Sequence, residues 1–187
     1  IDNRGVDKYY TNADGFVIGR NRQGHENFFP EAYVIPVGKD QKSISDAVRT
    51  IELLERSGVK IQKLKEDVTV KDVKYPAGSF VISMYQAKRN LANIILSDGA
   101  DVSDWGAMYA ETVNDFPDMR GFSCTEIRVK DAFKGKTVAA KAPFVKGTVL
   151  PTGSKLVVKN NSIDSVRAVN AVLKSGGKVY QMKNGDF

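Results

Sequence analysis

The sequence predicts an α/β fold in which a parallel β-sheet is flanked by helices and a β–α–β unit occurs twice. Three observations predict it: a β-branched apolar run at 33–35, a helical apolar stripe closed by Gly58, and the return of the same pattern beyond residue 155. Residues 1–31 read as a polar arm or linker, with aromatics at Tyr9, Tyr10, Phe16, Phe28 and Phe29. Within it only Gly15-Phe16-Val17-Ile18-Gly19 looks like a strand, and Pro30 marks its end. An arm this aromatic is expected to pack onto something. Tyr33-Val34-Ile35, closed by Pro36, reads as a buried strand. After a polar loop, Ser43 or Ser45 caps a helix whose Ile44, Ala47, Val48, Ile51 and Leu54 recur at spacings of three and four. Gly58 stands where a helix end needs a left-handed residue, and residues 59–64 then alternate as a half-buried strand. So short a connection predicts parallel strands joined by a right-handed crossover.

Tyr75-Pro76-Ala77-Gly78 is a turn leading into a strand at Ser79-Phe80-Val81-Ile82-Ser83-Met84. Residues 85–97 return to a helical pattern, with Leu91, Ile94 and Ile95 facing inward, Lys88 and Arg89 outward, and Asp98-Gly99 as the stop. The first unit thus covers 32–98 of an α/β domain spanning 32–187. Residues 99–155 read as an irregular connection with short strands at Thr137-Val138-Ala139-Ala140 and Gly147-Thr148-Val149-Leu150. An incomplete second unit follows at 156–187. Shifted by 118 positions, Asp46, Val48, Arg49 and Ile51 meet Asp164, Val166, Arg167 and Val169. At the same shift Ser57, Gly58, Lys60 and Ile61 meet Ser175, Gly176, Lys178 and Val179. Tyr33-Val34-Ile35 corresponds to Leu156-Val157-Val158, and Gly78-Ser79-Phe80 to Gly185-Asp186-Phe187. The expectation is a true duplication, stopping where Val81-Ile82-Ser83 would continue.

Composition narrows the functional classes. No apolar run reaches the ~18 residues that span a bilayer. The chain begins at Ile1 with no signal-like stretch, so its start is expected to be processed or cut from something longer. A single cysteine, Cys124, excludes an internal disulfide and a Cys-rich metal site. The net charge of +6 comes from 28 basic residues scattered among 22 acidic ones. Residues 60–74 alternate in sign, as a solvated strand-and-turn face does, and nucleic-acid motifs are absent.

Catalytic constellations are equally scarce. The sole histidine, His25, sits in the polar arm and reads as an exposed or capping residue. Cys124 lies in Phe122-Ser123-Cys124-Thr125, without the glycines of a nucleophile elbow, and reads as a small buried hydrophobe. One His and one Cys cannot supply the usual zinc ligands. Asp98, Asp101, Asp104 and Glu111 gather around Trp105, but their spacing fails the calcium-loop pattern; capping and turn formation explain them. No phosphate-binding glycine loop follows either strand. A flavodoxin-like module would instead hold a small ligand at the strand ends, 36–43 and 159–162. No catalytic, cofactor-binding or metal residue is assigned.

Several stretches resemble one family. Ala32-Tyr33-Val34-Ile35-Pro36 is similar to the opening of the domain that follows the catalytic domain in large bacterial zinc carboxypeptidases of the carboxypeptidase A type. Tyr75-Pro76-Ala77-Gly78-Ser79-Phe80-Val81-Ile82 and Gln86-Ala87-Lys88-Arg89-Asn90-Leu91-Ala92-Asn93 resemble its next strand and helix, and Asp101-Val102-Ser103-Asp104-Trp105 a further signature. The resemblance covers roughly residues 30–187. It implies a secreted parent, an upstream zinc peptidase domain as partner, and a class I glutamine amidotransferase-like sheet in this domain. The zinc-binding His-x-x-Glu of that parent has no match here, nor has the amidotransferase Cys–His pair. The expected role is therefore a non-catalytic accessory domain, with no cofactor of its own and anionic cell-wall polymers as a further partner. The competing expectation is an autonomous small-ligand or wall-binding module.

Overall fold

The computed structural model describes residues 10–11, 17–18, 29–98, 115–143 and 155–187. In chain order the strands are β1 (Tyr10–Thr11), β2 (Val17–Ile18), β3 (Ala32–Ile35), β4 (Ile61–Leu64), β5 (Val68–Val70), β6 (Val73–Tyr75), β7 (Phe80–Ser83), β8 (Thr125–Ile127) and β9 (Thr137–Ala140). The α-helices are α1 (Ile44–Arg56), α2 (Arg89–Leu96), α3 (Phe116–Arg120) and α4 (Ile163–Lys174). β1 and β2 pair antiparallel, so part of the strand expected at 15–19 forms. Gly147-Thr148-Val149-Leu150 lies outside the described residues.

The main sheet has the order β8-β3-β7-β4-β9, and every neighbouring pair is antiparallel. This overturns the expected parallel sheet, whether flavodoxin-like or glutamine amidotransferase-like. The strands flanking α1, β3 and β4, do run in the same direction, but β7 returns between them and pairs with both. Period and loop length set strand direction here, while the identity of the neighbour was decided by a strand that comes later in the chain.

The misleading signal was the unbroken apolar composition of β3 and β7. Such runs mark strands buried on both faces, which parallel sheets usually supply. Here an antiparallel sheet is covered twice. On one face Tyr33, Ile35, Ile61, Phe80 and Ile82 pack with Ala47, Ile51 and Leu54 of α1 and Ala92, Ile95 and Leu96 of α2. On the other, Ala32, Val34, Leu64, Val81 and Ile127 meet Val68, Val70 and Tyr75 of the β5–β6 hairpin, with Phe133. The hairpin closes through Lys71 and Asp72, both at positive φ (46° and 65°), as a two-residue turn matched to strand twist requires. Residues 60–74 are thus only half solvated: the alternation Val68-Thr69-Val70 was the sign that one side is core.

Local signals held well at α1. Ser43 Oγ accepts from the Asp46 amide as N-cap, and Gly58 closes the helix at φ 83°. Of the expected stripe, Ala47, Val48, Ile51 and Leu54 are buried but Ile44 is exposed. In α2 the buried face is Ala92, Asn93, Ile95 and Leu96, with Ile94 exposed, because Asn93 is drawn in by Tyr33 Oη donating to its Oδ1 at 2.8 Å. Phe29 supplies packing for the aromatic arm, buried beneath the Arg89 guanidinium 4.9 Å from its ring. The short α3 went unread, although Asp115 as N-cap, Pro117 in the first turn and Gly121 at φ 67° spell out its ends.

Candidate functional site

Cys124 lies beside β8, partly buried against the helix-side core. Burial, reinforced by the Asp98 carboxylate, pushes its thiol far above the ordinary range. A protonated thiol is a poor nucleophile and a poor metal ligand. Asp98 is itself raised, first by desolvation and then by the neighbouring charges of Asp115, Glu126 and Asp118. His25, Asp101, Asp104, Trp105 and Glu111 lie outside the described residues. Among the described residues, no three His, Cys, Asp or Glu side chains come together as a metal site.

The strand-end loops at 36–43 and 159–162 do come together. Asn161 Nδ2 donates to the Lys42 carbonyl at 3.0 Å, and the Ile163 amide donates to Asp46 Oδ2 at 3.2 Å. Arg49 bonds Asp164 at 2.5 Å, so α1 and α4 meet near their N-termini. Asp46 is fully buried there; its Oδ2 also accepts from Ser43 Oγ at 2.7 Å, while Oδ1 has no partner among the described residues. A carboxylate at two helix N-termini is favoured by both dipoles, which offsets part of its burial cost. The Gln41 amide fills the space between 36–43 and the loop before β8. It donates to the carbonyls of Pro36 and Ser123 and accepts from the amides of Ser43 and Ser123. Internal hydrogen bonds thus tie these loops together, and the parallel-sheet reason for expecting a ligand at their strand ends no longer applies.

Among the described residues, 155–187 carry many of the exposed large hydrophobic side chains. The hydrogen bonds that close the first unit recur in this segment. In the first unit Leu64 N donates to Ser79 O and Gly78 N to Leu64 O, both at 2.9 Å. At the corresponding positions Met182 N donates to Asp186 O at 2.8 Å and Gly185 N to Met182 O at 3.0 Å. Ile35 pairs with Phe80 in the sheet; likewise Val158 and Phe187 exchange both amide–carbonyl bonds, at 2.7 and 2.9 Å. The helix ends match too. Val59 N reaches Leu54 O and Gly177 N reaches Val172 O, each at 2.9 Å, with Gly58 and Gly176 at φ 83° and 82°. Only two residues, Lys183 and Asn184, stand where the first unit inserts the β5–β6 hairpin.

Burial does not recur. Tyr33, Val34 and Leu64 are at most 2% exposed, whereas their counterparts Leu156, Val157 and Met182 are 64%, 63% and 40% exposed. Val172 and Leu173 of α4 and Tyr180 add to this apolar surface, and only Ser165 and Val169 of α4 are buried. Leu156-Val157-Val158, the sequence counterpart of the strand at 33–35, pairs among the described residues only through Val158 and forms no ladder. A strand needs neighbours on both edges or a covered face to persist.

No family model, curated protein or solved structure matches the chain.

Proposed function

We propose that this chain is a non-catalytic accessory domain, one that packs against another domain of its parent and contributes no chemistry of its own. The observation that carries this reading is the concentration of exposed large hydrophobic side chains in residues 156–182, Leu156, Val157, Val172, Leu173 and Tyr180 among them. Exposed apolar surface beyond scattered single residues marks interaction sites. The parent we propose is a secreted zinc carboxypeptidase, whose catalytic domain is the packing partner. That part rests only on the resembling stretches at 32–36, 75–82, 86–93 and 101–105, since the amidotransferase-like sheet that the resemblance also implied is not the one formed. Contact with anionic wall polymers rests only on the net charge and forms no part of this reading. No described helix is long and apolar enough to cross a membrane.

The test is the coding sequence around residues 1–187 together with an assay. A His-x-x-Glu pair and a later His are expected upstream, and the isolated chain with added zinc should release no C-terminal amino acid from peptides. Turnover by the isolated chain, or flanking sequence without the zinc ligands, overturns the proposal.

A further inference from the structure

We propose that residues 155–187 form a peripheral membrane-docking surface, whose occupant is the anionic face of a phospholipid bilayer. Two independent features of the segment meet there. The first is apolar: Leu156, Val157, Val172, Leu173, Tyr180 and Met182 are all at least 40% exposed. The second is charge. Six basic side chains against two acidic ones, Asp164 and Asp186, give these residues +4 of the chain's net +6. Asp164 is already engaged by Arg49 and Arg167. Lys155, Lys159, Lys174, Lys178 and Lys183 are all exposed.

The two features are interleaved. In Lys155-Leu156-Val157, Leu173-Lys174, Lys178-Val179-Tyr180 and Met182-Lys183, each lysine stands within two residues of an exposed apolar side chain. Hydrogen bonds gather these stretches into two groups. Val158 with Phe187, and Met182 with Asp186, bring 156–159 beside 182–183; Gly177 N donating to Val172 O brings 172–174 beside 178. The helix shows the same bias when set against α1. Glu52 and Glu55 of α1 stand 118 positions before Asn170 and Leu173, so α4 lacks both carboxylates.

This combination selects the occupant. A lysine stem lies along apolar surface while its ammonium stays in water, the arrangement that seats basic amphipathic segments at a bilayer interface. Anionic headgroups attract each such lysine, and Tyr180 has the apolar body and polar tip of an interfacial aromatic. Lysine is depleted in protein interfaces, so its abundance here points to headgroups. A nucleic acid would pair with the lysines but leave Leu156, Val157 and Leu173 in water. With 12 residues, α4 is too short to cross a bilayer and lies on its surface. This inference goes beyond the accessory reading and needs no peptidase parent; a packed domain and a bilayer would hold the surface one at a time.

The test is sedimentation of the full chain with sucrose-loaded vesicles of phosphatidylcholine containing about 30% phosphatidylglycerol. Half of the chain should sediment at submillimolar lipid, with at least ~10-fold more lipid needed when the vesicles are pure phosphatidylcholine. Leu173→Glu and Lys174→Glu, both at exposed positions, should each weaken binding at least ~5-fold with an unchanged circular dichroism spectrum. Lys134→Glu makes the same charge change at an exposed position outside the segment and should stay within ~2-fold. No sedimentation at about 2 mM lipid overturns the proposal, as does equal binding to neutral vesicles. So does binding indifferent to Leu173→Glu, or an equal loss for Lys134→Glu and Lys174→Glu. Concentration-dependent self-association abolished by Leu173→Glu would also overturn it, by making a second copy the occupant. Failure here leaves the coding-sequence test of the accessory role untouched, and missing zinc ligands upstream would leave vesicle binding untouched.

Discussion

Cys124 and Asp46 both sit among groups brought to them by distant parts of the chain. Burial and the Asp98 charge hold the Cys124 proton on in the folded chain, whereas an unfolded chain releases it near the ordinary value of 9.0. Above that pH the unfolded state binds fewer protons than the folded one, so stability falls as pH rises. The limit is ~1.4 kcal/mol per pH unit for one group, and less for a side chain that is only partly buried. Between pH 8 and 10 the chain should lose on the order of 1 kcal/mol more, by urea denaturation, than Cys124→Ala does. Parallel pH curves for the two proteins would show that the thiol is not held up. Asp46 could be recognised from sequence as a helix-start acid beside Ser43. That its carboxylate also takes the Ile163 amide could not, because that contact spans 117 positions.

At the scale of elements, α1 and α4 share serine caps and a closing glycine but differ in what they face. Leu54 is fully buried under the sheet, while its counterpart Val172 is exposed. Leu54→Ala should cost about 2–5 kcal/mol, the range for truncating a core leucine. Val172→Ala should stay within ~0.5 kcal/mol, as surface changes do. Equal losses in urea denaturation would mean that α4 is packed as α1 is. Helix ends were legible at α1, and the unread α3 also carries its caps within one turn. By contrast α2 starts at Arg89 rather than at residue 85, behind Lys88, which makes no side-chain cap. Inward faces were less so. The α2 stripe was displaced toward Asn93 by a hydrogen bond from Tyr33, 60 positions away. The β5–β6 hairpin was read as solvated because its charges hid the alternation of Val68, Val70 and Tyr75.

Across the whole molecule stability is unevenly spread. Residues 32–98 and 122–133 hold nearly every buried hydrophobic residue described, and 155–187 contribute Val169 alone. Segments with few buried apolar contacts open locally at much lower free energy than the core. Amides of α4 should therefore exchange at least ~100-fold faster than those of β3, β4 and β7 in native-state hydrogen exchange. Uniform protection across both regions would contradict this division.

The sequence by itself determined the strands at 33–35 and 61–64, the helix between them and the turn before Phe80, since each depends on periodicity or on caps a few residues apart. Strand order was settled only by tertiary structure. A parallel and an antiparallel sheet buried on both faces demand the same apolar runs, and only the entry of β7 between β3 and β4 distinguishes them. Tertiary structure alone also decided that the second half keeps the hydrogen bonds of the first but not its burial, because a hydrogen-bonded turn is local whereas a core needs a partner on every side.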